Sequence, residues 1–167
     1  MDSITNIEKH MVLKHSVTIN TSSDRIWNFL TGIDKNYKDW HPDDHILFCW
    51  TKGEAMETGS TFYAEQYMTG HKIKYRGYIA ESVPSRKITM KFLFPLSLVT
   101  EKIEMIVGKN DSYSTFTHIT YLRFMLLSRT LFKKHNLEML NDMQKHVITE
   151  GQNMKTILEK QNSKPNK

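Results

Sequence analysis

Leu131-Phe-Lys-Lys-His-Asn-Leu-Glu-Met-Leu140-Asn-Asp-Met-Gln-Lys-His146-Val-Ile-Thr-Glu150-Gly-Gln-Asn-Met-Lys-Thr-Ile-Leu-Glu-Lys160 is the longest stretch of helical periodicity in the chain. At about 100° per residue, Phe132, Asn136, Met139, Leu140, Met143, Val147, Met154, Ile157 and Leu158 gather on one stripe roughly 100° wide. Glu150 falls inside that stripe. His146 falls on its edge one turn earlier, so both side chains address the same region. A buried carboxylate needs a cation, a hydrogen-bond network or a raised pKa; the alternative is a wet helix end from which Glu150 reaches water.

A long apolar stripe needs a surface to cover, and the preceding chain reads as strands. Leu13, His15, Val17 and Ile19 alternate with Lys14, Ser16 and Thr18, a half-buried strand over His10 to Ile19. His15 faces inward there and is expected to be a satisfied core residue. Asn20-Thr-Ser-Ser-Asp24 supplies capping residues for a short helix from Arg25 to Leu30, stopped by Gly32, and residues 33–40 make one more helical turn before Pro42. Strands follow at Ile46–Trp50, Thr61–Met68 and His71–Ala80, the first two joined by about eight residues and the last two by Thr69-Gly70. Ile88, Met90, Phe92 and Phe94 alternate up to Pro95; Ile103, Met105 and Val107 form the next strand, and residues 116–126 the last. Ser128 or Thr130 caps the long helix.

The order is strand, short helices, about six antiparallel strands, long amphipathic helix. A curved sheet with an apolar concave face buries it by wrapping something, and the long helix carries the matching stripe. The expected class is α+β: a helix-grip spanning residues 1–160, followed by a disordered polar tail at 161–167. In this order the chain resembles the START-like (SRPBCC) superfamily of birch-pollen-allergen, polyketide-cyclase and lipid-transfer proteins, whose members hold a cavity between sheet and helix.

Composition is that of an ordinary soluble domain, with 39% hydrophobic and 25% charged residues in 167. Lys160, Lys164 and Lys167 account for three of the five net positive charges, leaving +2 for residues 1–159. Such a body predicts no nucleic-acid partner. One cysteine, Cys49, the lack of a secretory signal in Met1-Asp-Ser-Ile-Thr-Asn-Ile-Glu8 and the lack of a spanning apolar run point to a cytoplasmic protein with no membrane partner. Oligomeric state is not legible.

If the helix closes over the sheet, the first hairpin lies opposite it. His45 opens one strand and Glu65 lies in the next; in a register pairing odd with odd positions they share a face. Two histidines and two glutamates then converge: His45, Glu65, His146 and Glu150, a set suited to zinc or another divalent transition metal. The structural alternatives are an exposed strand acid at Glu65 and a loop-end histidine at His45. More narrowly, Trp40-His-Pro-Asp-Asp-His45, Tyr63-Ala-Glu65 and His146-x-x-x-Glu150 look like the metal framework of the 2,4-diacetylphloroglucinol and phloretin hydrolases. That resemblance implies zinc held by His146, Glu150, Glu65 and His45, with His41 as the second choice for the hairpin histidine. It also implies cleavage of the carbon–carbon bond between an acyl group and a polyhydroxylated ring. The family's members carry an added N-terminal portion, whereas this sequence starts almost directly at the first strand of the grip, and the family's substrate-orienting groups have no definite match here.

The main expectation is therefore a metal-dependent hydrolase of an acyl-aromatic or related ketone, with Tyr63 or His71 as candidate general acid. The alternative is a carrier of a small apolar or aromatic ligand, lined by the helix methionines with Phe92, Phe94 and Phe116. A third is a metal-free cyclase or dehydratase using His146 and Glu150 as an acid–base pair. Tyr67, Tyr75 and His118 are further polar groups on the strands.

Overall fold

The computed structural model describes residues 3–7, 10–110, 112–123 and 133–162. In chain order these form β1 (Ser3–Ile7), β2 (His10–Ile19), α1 (Ser23–Thr31), α2 (Ile33–Trp40), β3 (His45–Lys52), β4 (Thr61–Met68), β5 (His71–Val83), β6 (Lys87–Phe92), a 3-10 turn (Leu96–Leu98), β7 (Thr100–Lys109), β8 (Ser114–Arg123) and α3 (Lys133–Asn162). The expected caps Ser128 and Thr130, the expected helix start at Leu131, the stripe residue Phe132 and tail residues 163–167 lie outside the described residues. α3 runs two residues past the expected start of the tail at residue 161, ending at Asn162.

All strands pair antiparallel in one eight-stranded sheet of order β1-β2-β8-β7-β6-β5-β4-β3. Strands β3 to β8 form a meander because each is joined to the next by a short connection. β2 pairs with β8 toward one side, while β3 is the opposite edge, so α1 and α2 carry the chain from β2 across to the far edge of the sheet. β1, absent from the sequence reading, adds one further strand on β2 through pairs from Ser3↔Lys14 to Ile7↔His10.

α3 lies along the concave face, packed chiefly on β2. Leu140, Val147, Glu150, Met154 and Leu158 of its stripe are buried, while Met139, Met143 and Ile157 are half-buried. The α+β helix-grip expected from the element order is the observed architecture. Glu150 is 5% exposed, which overturns the wet-helix-end alternative.

The helix approaches β2 closely at one glycine. A Cβ built on Gly151 would lie 2.4 Å from His15 Cδ2 and 2.7 Å from its Nε2. His15 is 3% exposed, so its ring must displace packed neighbours to move away. Glycine in a helix interior costs about 1 kcal/mol relative to alanine, so its presence at 151 answers to the imidazole packed over it. We expect Gly151→Ala to lose about 1–2 kcal/mol of stability in urea unfolding, the clash outweighing the gain in helix propensity. A variant as stable as the wild type would contradict this packing.

Candidate functional site

The segment from Tyr37 to His45 assembles one wall of the site. α2 ends at Trp40, and Pro42 follows its C-cap, His41. Two bonds tie the end of α2 to α3: Trp40 Nε1 donates to the Glu150 carbonyl at 2.9 Å, and Asn153 Nδ2 donates to the Trp40 carbonyl at 2.9 Å. This docking brings His41, Asp44 and His45 against the helical residues His146 and Glu150.

The Glu150 carboxylate is the centre. Oε1 lies 3.2 Å from His45 Nε2 and 3.6 Å from His146 Nε2, while Oε2 lies 2.8 Å from His118 Nδ1. All four residues are buried. Both imidazoles facing Oε1 are fixed from behind. His45 Nδ1 is 2.8 Å from the Tyr37 carbonyl, which only accepts, so Nδ1 carries the proton and donates. His146 Nδ1 is 2.8 Å from Asp44 Oδ2 and donates to it in the same way. Each Nε2 is thereby turned toward the carboxylate. Two acceptors face each other across these contacts unless a proton or a cation lies between them.

Burial pushes the His146 pKa down, but the contacts with Glu150 and Asp44 outweigh it and hold the imidazole at about 9. Burial pushes Glu150 up, and His118, His146 and His45 together bring it well below the ordinary carboxylate range. His41, whose ring stacks on His146 at 4.5 Å, is pushed down by burial and by the neighbouring His146, against the pull of Asp44 3.4 Å from its Nε2. In the absence of a metal, the proton therefore resides on His146 rather than on His41.

Beyond the cluster the grip encloses a cavity of about 360 Å³ with an almost wholly apolar wall. Phe62, Met90, Phe92 and Met105 line it from the sheet, and Met139, Met143 and Val147 from α3. Its polar groups are Glu150, His146 and His118 together with Thr120, Tyr37, Tyr75 and Gln66, with His71 and Thr69 also in the wall. Tyr37 and Tyr75 direct their hydroxyls at Gln66 Oε1, at 2.5 and 2.8 Å. Tyr37 also stacks on His45 with ring centroids 3.8 Å apart. Burial raises both phenol pKa values, so both stay protonated near neutrality.

The structure brings His45, His146 and Glu150 together and leaves Glu65 out. The expected odd-with-odd register holds at Leu47↔Glu65 and Cys49↔Tyr63, but these pairs lie on the outer face; the ladder shifts between Leu47 and His45, so that His45 turns inward and pairs with Gln66 instead. Phe62, Ala64 and Gln66 point inward, whereas Tyr63, Glu65 and Tyr67 point to the outer face. There Tyr63 donates to Glu65 at 2.5 Å, and Lys72 Nζ lies 2.6 Å from it. The Lys72 contact and the Tyr63 hydrogen bond hold the Glu65 carboxyl at about 2. Tyr63 is thereby removed from the cavity as a general acid, and exposed His71 lies at the rim, away from Glu150's partners. Tyr67 is a surface residue, and exposed Phe94 is not a lining residue.

Sequence reasoning passed over Tyr37, Gln66 and Asp44, and named His118 without placing it. The signal for Gln66 was the apolar even set Phe62, Ala64 and Met68 in β4. The signal for His118 was its place between inward Phe116 and Leu122 in β8, opposite His15. Nitrogen and oxygen donors of His45, His146 and Glu150 all lie within 4.8 Å of one another, and so do those of His41, Asp44 and His146.

No protein-family model matches the sequence, and no curated protein matches it either. Solved structures do. The Zhui aromatase/cyclase from Streptomyces sp. R1128 superposes with a TM-score of 0.71 at 15% identity, covering 92% of this chain and 96% of that one. Norcoclaurine synthase from Thalictrum flavum, in complex with dopamine and hydroxybenzaldehyde, gives 0.64 at 13% identity over 93% and 90%. Major latex-like protein 151 from Panax ginseng gives 0.61 at 14% identity over 83% and 98%. The chain thus shares the START-like, birch-pollen-allergen-like helix-grip fold, and at these identities the likeness extends to the fold alone. The narrower resemblance to the acylphloroglucinol and phloretin hydrolases is not part of what these similarities show.

The charge network has a pH signature. The folded pKa of His146, about 9, stands above its ordinary value of 6.5. Its contribution to stability is then complete below about 6.5 and lost as pH rises through about 9. In chelator-treated protein, unfolding free energy is expected to fall by roughly 2–3 kcal/mol over that interval. His146→Gln should flatten the slope, and an equal slope in this variant would show that another group titrates there.

Proposed function

We propose that the protein binds a small apolar or aromatic molecule inside the grip, with the molecule's polar end against Glu150 and its histidines. The observation that carries this reading is the cavity itself. At about 360 Å³ it falls in the range of small-molecule sites, and its few polar groups converge at one region of an apolar wall. The aromatic occupants of the norcoclaurine synthase structure belong to the size class such a cavity suits.

A panel of aromatic ketones, phenols and acylphloroglucinols tests the proposal by thermal shift. A ligand present at a hundredfold excess over its dissociation constant should stabilise the protein by about 2.7 kcal/mol. Ile103→Phe, which fills the cavity from β7, should weaken binding by roughly tenfold or more without loss of fold. The reading fails if no compound shifts the wild type, or if the filled variant binds as well.

A second reading, that the cluster holds a divalent transition metal such as zinc, is favoured by the way the two Nδ1–H groups are locked. Metal-ligating histidines characteristically donate the other ring nitrogen to a carbonyl or carboxylate, as His45 and His146 do here. Donor atoms of a tetrahedral zinc site with bonds near 2.0–2.1 Å stand about 3.3 Å apart. The contacts of 3.2 and 3.6 Å to Glu150 Oε1 fit that spacing. The ligand set would be His45, His146 and Glu150, without Glu65. His118 would orient the carboxylate through its other oxygen. Three protein ligands leave a position open for water or substrate, the arrangement of a catalytic site.

In its finer form this second reading is hydrolysis of an acyl-aromatic ketone. A bound metal would supply a polarised carbonyl or a water acidic enough to ionise near neutral pH. The chain's own part is to hold the ring among Phe62, Phe92 and Met90, and to offer a phenol proton from Tyr37 or Tyr75 to the leaving ring carbon. Elemental analysis should find about one equivalent of metal in wild type, and His146→Ala and Glu150→Gln should each bind at least tenfold less. Metal below half an equivalent after zinc addition removes this reading and leaves His146 and Glu150 as an ion pair lining the ligand cavity.

A further inference from the structure

The loop between β6 and β7, residues 93–99, reads Leu-Phe-Pro-Leu-Ser-Leu-Val. Exposure is 47% at Leu93, 78% at Phe94, 46% at Leu98 and 39% at Val99. Among the described residues these are four of the seven exposed large hydrophobic side chains, so the exposure is concentrated rather than scattered. The loop also satisfies its own amides. Ser97, Leu98 and Val99 donate to the carbonyls of Leu93, Pro95 and Leu96 at 3.2, 3.1 and 3.0 Å, and Pro95 has no N–H to satisfy. Such a turn can leave water without stranding these donors.

Three basic residues adjoin its backbone, and Glu101 follows it two residues on. Exposed Lys91 precedes it, Arg76 accepts the Leu93 N–H through its carbonyl at 2.9 Å, and Arg123 donates its backbone N–H to Val99 at 2.7 Å. No acid lies between Lys91 and Glu101. The loop stands at the same end of the sheet as the β4–β5 turn, where Met68 and Thr69 belong to the cavity wall along with Leu96 and Val99 of the loop itself. The apolar loop is therefore continuous with the cavity.

We propose that residues 93–99 dock the protein on an anionic lipid surface. Phe94 and Leu98 enter the acyl boundary, while Arg76, Lys91 and Arg123 meet the headgroups. No helix among the described residues is long and apolar enough to cross a membrane, so the contact is peripheral. The charge complementarity favours phosphatidylserine-like headgroups, and the apolar run supplies the insertion that bases alone lack. The docking stands on its own observations. Its consequence, that an apolar ligand enters the cavity directly from the bilayer, rests on the ligand-binding reading.

Vesicle flotation tests this without any added ligand, so its failure is distinguishable from failure of the cavity reading. The full chain is expected to float with phosphatidylcholine vesicles containing phosphatidylserine and far less with phosphatidylcholine alone. Phe94→Glu and Leu98→Glu should each reduce the bound fraction by roughly tenfold at unchanged melting temperature, because both side chains are exposed. Lys91→Glu should reduce it by about fivefold at low salt, and less as salt screens the headgroups. Tyr113→Glu, at the opposite end of β7, should float like the wild type. Wild-type protein that stays with the unbound fraction, or Phe94→Glu that floats normally, overturns the proposal. So does a concentration-dependent dimer that Phe94→Glu abolishes in the absence of vesicle binding, which would assign the loop to a second copy of the chain.

Discussion

One carboxylate buried in a helix stripe constrains the rest of the structure. Glu150 is 5% exposed, and an ionised group so placed carries an effective penalty of several kcal/mol unless it is surrounded by donors or cations. Its two oxygens are met by His45, His146 and His118, from three different elements. The same residue's backbone carbonyl receives the Trp40 indole N–H. Side chain and main chain at one position therefore fix how α2, β3 and β8 sit against α3. A leucine in the stripe would satisfy the helix just as well, but would ask nothing of those three elements.

The nine residues from Tyr37 to His45 supply most of the surroundings. Within them the Tyr37 carbonyl orients His45, Asp44 orients His146, and Trp40 docks the helix end. The Tyr37 ring stacks on His45 while its hydroxyl joins Gln66 and Tyr75 deeper in the cavity. Pro42 matters because it ends the helical run just where the chain must turn to begin β3. Local backbone chemistry thus positions a set of side chains that periodicity alone cannot gather.

The fold was legible because its signals are long. Thirty residues of helical period, and strands alternating over five to ten residues, define the element order, and that order admits few ways of burying the apolar faces. β1 escaped because Ser3-Ile-Thr-Asn-Ile7 is short and half polar. On the helix side of the site, His146 and Glu150 were readable from spacing. The hairpin side was only half readable: Leu47 and Cys49 do pair with Glu65 and Tyr63, but on the outer face, and a bulge between His45 and Leu47 turns His45 inward opposite Gln66. Glu65 consequently sits among Lys72, Lys74 and Tyr63 outside, and Gln66 takes the inward position. His118 joins the site through β8, a strand whose inward face was apparent but whose position across from Glu150 depends on the curvature of the whole sheet.

An apolar cavity beside an ionised cluster is not a contradiction. Low dielectric strengthens each contact to Glu150 as much as it raises the cost of leaving one unmade, so the histidines are held more firmly than they would be in water. The proton distribution follows from this. His146, between Asp44 and Glu150, is raised, whereas His41, stacked on it and sharing Asp44, is lowered. A second positive charge 4.5 Å away, ring centre to ring centre, would meet the first with little water to screen it. A proton on His146 matches the single charge of Glu150; a divalent ion among the Nε2 atoms would exceed it by one, with the Asp44 carboxylate close by to offset the rest. On the ligand-binding proposal, a carbonyl or hydroxyl brought to the cavity's polar end would exchange hydrogen bonds with the cluster, while an apolar body would lie along the Met and Phe wall.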